Sequence, residues 1–474
     1  MGEKATEYIN NQIFQSPQLL MSYAGDKDGN EYIKREAFYT ILGKLEKFIS
    51  GERGTRIIAI PGLRGVGKTT LLAQLFLYVS TKYPKDVLYL SVDQIVNVLG
   101  SSLNEVLDDY QKVLGERFSH LTSPKFLFID EIHFDPKWVW ILKMLYDTTK
   151  DIFVVCTGSS ALSLQNTADL ARRVYFEKLA PLSFSQYQQL KNNASFVLPR
   201  LSADLKEALF FSKDATEAFK KVQALHSKMN QCWFGVDRME IAKYLKYGSM
   251  PYAVKMDNDM ESNVYTLQII DKLVEKDLPA YKNFDADTIR SVKNIILLVA
   301  SSLEVSVSKI AESLAGISVN TITDVFDALE KAELFIRVFP YGSSYKKVRK
   351  PSKFYFSSPA IRHAMLSIVE GENAFARNKG SYLEDASALV LNRCFNTALN
   401  LPLFYHNAKG GADFIIDFVS RKIVVEIGYG GKSEKQVNFT LKEVKGAYGM
   451  VVCDGDLGLA GNVIKLPLEY FFLL

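Results

Sequence analysis

At 474 residues, with 48% hydrophobic and 23% charged residues and a formal net charge of +4, the chain exceeds what one hydrophobic core supports and predicts two to four domains. This composition excludes an extended disordered chain, and the small net charge neither demands nor excludes nucleic acid. Cys156, Cys232, Cys394 and Cys453 lie far apart among apolar neighbours, which favours buried thiols and a cytoplasmic location over disulfides or zinc, and no apolar run reaches the roughly 18 residues of a membrane span.

In chain order, the first 30 residues, ending in GDKDGN, read as a partly ordered arm, and REAFYTILGKLEKFI as a helix. IIAIP, GLRGVGKTT and LLAQLFLYV then read as a buried strand, a glycine-rich turn and an amphipathic helix. That order is the context a phosphate loop requires, G-x-x-x-x-G-K-[ST]. Gly62, Leu63, Arg64, Gly65, Val66, Gly67, Lys68, Thr69 and Thr70 would wrap backbone N–H groups around phosphate. Lys68 adds a compact positive charge and Thr69 a hydroxyl for Mg²⁺, so ATP and Mg²⁺ are the expected ligands.

DVLYLSVD predicts a second strand, LNEVLDDYQKVLGERF a helix, and PKFLFIDEIH a third strand ending in Asp130 and Glu131. Ligands of open α/β sheets bind at the carboxyl ends of the strands, which puts these acids beside the phosphates. Asp130 is expected to hold Mg²⁺ and Glu131 to polarise the attacking water. DIFVVCTGSSA predicts a fourth strand, where Ser159 or Thr157 would sense the γ-phosphate or, equally, cap the next helix. Arg172 and Arg173 precede a fifth strand candidate, VYFEKL; they fit either a solvated face or an arginine reaching a neighbouring subunit's γ-phosphate in a homo-oligomer. Alternating apolar strands and helices predict an α/β parallel sheet covered on both faces.

GLRGVGKTT at 62–70, FLFIDEIH at 126–133, CTGSSA at 156–161 and RRVYFEKLAPLSFSQY at 172–187 together resemble a family of prokaryotic AAA-type ATPases. Those proteins carry a C-terminal domain of uncharacterised function, DUF4143-type, resembling restriction nucleases. The resemblance implies a P-loop sheet in the order 5-1-4-3-2 and gives Arg173 the place of the family's arginine before Pro-Leu-Ser-Phe. It also matches YLKYGSMPYAV to the family's glycine-glycine-x-proline turn, with Gly248 and Pro251 kept and Ser249 departing.

Four segments are expected: an ATPase domain over 1–190, a helical lid or linker over 191–280, a winged-helix domain over 281–356, and a small nuclease-like α/β domain over 357–474. The winged-helix expectation rests on SKIAESLA, a turn at GIS, NTITDVFDALEKAEL, and a wing formed by FIRVF and KFYFSS. Its second helix carries Asn320, Thr321, Thr323, Asp324, Asp327 and Glu330 against one Lys331, which favours a structural or protein-contact element over a reader of duplex DNA. The wing segment YKKVRKPSK, 345–353, is the main basic run and fits either a hold on DNA backbone or a solvated loop.

In the last segment a helix carries Glu384, and LPLFYHNAKGGADFIIDF and RKIVVEIGYG form a hairpin with Asp413 opening one strand and Glu426 ending the other. Acids so placed are how a metal-dependent nuclease gathers Mg²⁺. The resemblance matches Glu384, Asp413 and Glu426 to the family's acids, but Gly411 replaces a further acid and Gly428 the lysine. Lys432 lies four residues on, in a loop ill suited to fixing it, so a degenerate fold used for contacts is expected in place of an active nuclease.

Overall fold

A computed structural model describes residues 2–158, 170, 172–256, 258–302, 307–314, 317–342 and 351–474, which fall into two compact units, Met1–Leu179 and Ala180–Leu474. Among the described residues no helix is long and apolar enough to cross a membrane.

The first unit is built on five strands: β1 (Ile57–Pro61), β2 (Val87–Ser91), β3 (Lys125–Asp130), β4 (Ile152–Gly158) and β5 (Tyr175–Phe176). They are all parallel, in the order β2-β3-β4-β1-β5, the 5-1-4-3-2 arrangement expected of a P-loop fold. β1, β3 and β4 are buried along their whole length, because helices cover both faces of a parallel sheet. Each Ile or Phe fully buried in this way contributes about 2 kcal/mol.

The arm expected at the N-terminus is instead a helix, Gly2–Ala24. Ala5, Tyr8, Ile9, Leu20 and Ala24 are buried along one side, and the Tyr8 hydroxyl accepts a hydrogen bond from the Ser91 N–H, 3.2 Å. Few apolar residues suffice here because one stripe of the helix packs against the helices Lys68–Ser80 and Leu103–Leu114. The helix at Leu103 begins with a reciprocal capping box between Ser102 and Glu105.

The second unit opens with the helices Phe184–Asn192, Leu201–Phe210 and Ala215–Trp233. The segment expected as a lid bonds to the chain's C-terminal residues within this unit: Trp233 Nε1 donates to the Glu469 carbonyl at 3.0 Å and Ser202 Oγ to the Leu474 carbonyl at 3.1 Å. At the glycine-proline turn a Cβ on Gly248 would lie 2.7 Å from the Tyr187 ring, so close packing explains that glycine without chemistry.

Helices Ala286–Ser301, Val307–Ser313 and Val319–Lys331 precede β6 (Phe335–Pro340) and β7 (Lys353–Phe356), an antiparallel pair; of the expected basic run, 345–350 lies outside the described residues. β6 also pairs in parallel with β8 (Phe404–Tyr405) through Phe339 and Pro340. The hairpin expected to close a separate domain therefore belongs to an eight-stranded sheet. Its other members are β9 (Phe414–Asp417), β10 (Lys422–Ile427), β11 (Tyr448–Cys453), β12 (Gly458–Ala460) and β13 (Val463–Pro467), in the order β12-β13-β11-β10-β9-β8-β6-β7. The stretch 401–418, read as one strand, is split into β8 and β9 by a turn at 407–411, where Gly410 takes a left-handed φ of 76°.

Candidate active site

The phosphate loop sits between β1 and the helix Lys68–Ser80. Its glycines serve different ends. A Cβ on Gly62 would lie 2.4 Å from the Leu179 carbonyl oxygen, whereas Gly65 and Gly67 adopt φ of 80° and 93°, which side chains disfavour. Gly67 is the N-cap, so the N–H groups of the helix's first turn face the loop. Leu63 and Val66 are buried anchors, and Arg35, which no sequence motif singles out, donates from Nη1 to the Val66 carbonyl at 2.9 Å. Lys68 is buried, and its ammonium donates to the Gly62 and Leu63 carbonyls at 2.8 and 2.9 Å.

β3 runs next to β4, and their carboxyl ends bring the predicted acids to the loop. Thr69 Oγ1 donates to Asp130 Oδ2 at 3.1 Å; the Thr157 hydroxyl donates to Asp130 Oδ1 and accepts the Glu131 N–H at 3.0 Å. Thr157 thus fills the hydroxyl position at the end of β4; Ser159, the other candidate, lies outside the described residues. Burial, then the charge of Glu131, pushes the Asp130 carboxyl upward against the pull of Thr157, Thr69 and Lys68. Glu131 has a left-handed backbone, φ 53° and ψ 45°, a strained conformation for a glutamate, and its Oε2 lies 3.4 Å from His133 Nδ1. Tyr89, on β2, places its hydroxyl 3.5 Å from Asp130 Oδ2; burial and that carboxylate raise it well above an ordinary phenol. His133 and Tyr89 escaped sequence reading because only the pairing of β2 with β3 and the turn after Asp130 bring them here.

Arg173 forms a two-bond pair with Asp147 of the helix Trp138–Thr148, Nε to Oδ1 at 3.1 Å and Nη2 to Oδ2 at 3.2 Å. Arg172 is exposed.

The AAA domain family matches residues 54–188, and a domain of unknown function, DUF8612, matches residues 238–372. The uncharacterized protein MJ1637 of Methanocaldococcus jannaschii is 34% identical over 480 aligned residues, 99% of this chain and 94% of that protein. The chain belongs to the family of that protein and carries an AAA domain of P-loop fold. MJ1544 of the same organism is similar at 23% identity over 82% of this chain and 76% of its own length. Among solved structures, the Walker-type ATPase PABY2304 of Pyrococcus abyssi aligns with a TM-score of 0.40 at 12% identity, over 72% of this chain and 97% of that one.

The second unit of this AAA-domain protein brings the other predicted acids together. Glu384 lies within the helix Ala374–Leu391, Asp413 directly before β9 and Glu426 near the end of β10. The Asp413 N–H donates to Glu426 Oε2 at 3.2 Å, and the Ile427 N–H donates to Asp413 Oδ2 at 2.9 Å. Lys432 places its ammonium 2.6 Å from Glu426 Oε1, so the loop does fix it. Burial, then the Asp413 charge, raises Glu384 to about 8 and Glu426 to about 7, Lys432 opposing the second. As these side chains stand, no group of three or more His, Cys, Asp or Glu among the described residues is placed to hold a metal ion. A Cβ on Gly411 would fall 2.3 Å from the His406 carbonyl oxygen, so an acid there would require the backbone to move.

Proposed function

We propose that the first unit binds Mg·ATP and hydrolyses it. The observation that carries this reading is the contact of Thr69, Asp130, Thr157 and Glu131 around the end of β3, directly against the phosphate loop. Lys68 leaves the Gly62 and Leu63 carbonyls to meet the phosphates, and the loop N–H groups cradle them. Thr69 and Asp130 offer the hard oxygen donors that suit Mg²⁺, and burial with the Glu131 charge disfavours the ionised Asp130 carboxyl, a cost that a cation would offset. Mg²⁺ would neutralise charge developing on the transferred phosphoryl group. Glu131 orients and polarises the attacking water, and Thr157 holds the Glu131 backbone in its unusual conformation. The experiment is ATP turnover with parallel ATP-binding measurements on Lys68→Ala and Glu131→Gln. Loss of binding in the first and of turnover alone in the second support the reading, and unchanged turnover in both would sink it.

Turnover is proposed to drive the second unit, whose winged-helix-like segment takes a protein partner in preference to duplex DNA. Asp324 pairs with Lys282 at 2.5 Å, and Asp327 and Glu330 pair with Arg337 at 2.9 and 3.4 Å. These pairs hold the acidic helix within its own fold, a poor surface for phosphates. Arg173 acts in trans in a homo-oligomer once it leaves Asp147. In a concentration series reaching dissociated protein, turnover per chain that depends on neither concentration nor Arg173 would remove that role.

A second reading, an ATP-regulated nuclease of the DUF4143-like type, draws on the ammonium that Lys432 brings to Glu426. It predicts Mg²⁺-dependent DNA cleavage lost in Asp413→Asn, and no cleavage leaves the domain a contact module.

A further inference from the structure

Arg35 is an unusual residue for the place it occupies. It is the N-cap of the helix Glu36–Ile49, with an extended backbone at φ −78° and ψ 162°, and its side chain makes no capping hydrogen bond. Ser, Thr, Asp and Asn suit this position because their oxygens accept the first helical N–H groups, and the positive end of a helix disfavours a cation. The guanidinium reaches instead to the phosphate loop, where Nη1 donates to the Val66 carbonyl at 2.9 Å. A residue that weakens its own helix while bonding another element is one whose identity local folding does not dictate.

The peptide it meets is one the loop does not fix by itself. Val66 is buried and lies between Gly65 and Gly67, whose φ of 80° and 93° fall in the left-handed region. Glycine is free about its backbone bonds, so the Val66–Gly67 peptide can turn unless its carbonyl is held. In a planar trans peptide the C=O and the N–H point opposite ways, so Arg35 on the Val66 carbonyl faces the Gly67 N–H away from itself. Gly67 is also the N-cap of the helix Lys68–Ser80. The segment carrying Arg35 is anchored separately: the Tyr32 N–H donates to the Ala24 carbonyl at 2.8 Å, and the Tyr32 carbonyl accepts from Nε2 of the buried Gln74, on the helix Lys68–Ser80, at 2.7 Å. The guanidinium is therefore delivered from a backbone that stays tied to this helix without it.

We infer that Arg35 is a positioning residue for nucleotide binding: its hold on the Val66 carbonyl aims the Gly67 N–H at the phosphate chain. The inference rests on the reading of the first unit as an ATP site. A donor fixed in advance meets an anionic oxygen without first losing rotational freedom, and hydrogen bonds to charged oxygens are among the stronger ones. Two requirements conflict at position 35. Capping of the helix Glu36–Ile49 favours Ser, whereas the loop needs a donor at the end of a long side chain.

The test is equilibrium ATP binding to the full chain, with denaturant unfolding of the nucleotide-free protein, for the parent, Arg35→Ser and Arg35→Lys. Arg35→Ser supplies the preferred cap and removes the donor. Its ATP affinity is expected to fall by about tenfold or more while the unfolding midpoint of the first unit stays at or above the parent's. Arg35→Lys, which keeps a donor on a long stem, is expected to recover most of the affinity. Should Arg35→Ser fail to fold, Arg35→Met, a long stem without a donor, carries the binding test against Arg35→Lys. Unchanged affinity in Arg35→Ser, a loss accompanied by a lowered unfolding midpoint, or no recovery in Arg35→Lys overturns the positioning role. A parent chain that binds no ATP overturns the ATP reading itself, and this inference with it.

Discussion

The two units each gather carboxylates, but by different means. In the first, Asp130 and Glu131 are neighbours in sequence at the end of a buried strand, and hydroxyls from adjacent elements donate to the Asp130 carboxylate and accept the Glu131 N–H. In the second, Glu384, Asp413 and Glu426 come from a helix and two strands, and the compensating Lys432 arrives from a loop. A centre built on one strand end is positioned by the parallel sheet itself. The other depends on tertiary packing, and its burial raises the Glu384 and Glu426 carboxyls against the pull of nearby cations.

Glu131→Gln should lower ATP turnover by roughly 10²–10⁴-fold while leaving ATP affinity within a few-fold, measured by steady-state hydrolysis and equilibrium binding. Next comes the packing of the loop. Gly62→Ala forces a methyl against the Leu179 carbonyl and should destabilise the first unit by about 1–3 kcal/mol in denaturant unfolding.

A third prediction probes the second centre through pH. Glu384 has a folded pKa raised from 4.5 to about 8, so between those values the folded state keeps a proton that the unfolded chain releases. Stability of the second unit should therefore fall as pH rises through that window. Glu384→Gln should flatten the decline, leaving the variant more stable than the parent at pH 8 and least different near pH 4; identical pH profiles would break the contrast. The smallest effect concerns the acidic helix. Arg337→Ala, which removes the pairs to Asp327 and Glu330, should cost no more than about 1 kcal/mol because the pairs are partly exposed. The same variant should leave duplex-DNA binding unchanged.

What could be read from the sequence follows the same division. IIAIP and GLRGVGKTT carry strand and turn in one contiguous run, FLFIDEIH carries strand and acids in another, and the sheet and its loop stand where those patterns put them. Arg35, Tyr89 and His133 were not legible, since their places depend on packing and strand order and not on local spacing. The N-terminal helix was missed because its apolar face is sparse and interrupted by polar residues and Pro17. In the second unit the acids were legible as candidates, but β8 and β9 ran together and the wing looked separate. Short strands of two to four residues carry too little period-two pattern to divide a stretch or assign it to a sheet. Lys432 was visible, but its anchoring depended on the space above Gly428.

The residues around the end of β3 are proposed to make the first unit a hydrolytic centre. Its most direct measurement is single-turnover hydrolysis of ATP pre-bound to the parent chain and to Glu131→Gln, with Mg²⁺ added to start the reaction. Both chains are expected to hold ATP, and only the parent to convert it to ADP and phosphate at an appreciable rate. Equal conversion by the two chains would contradict it.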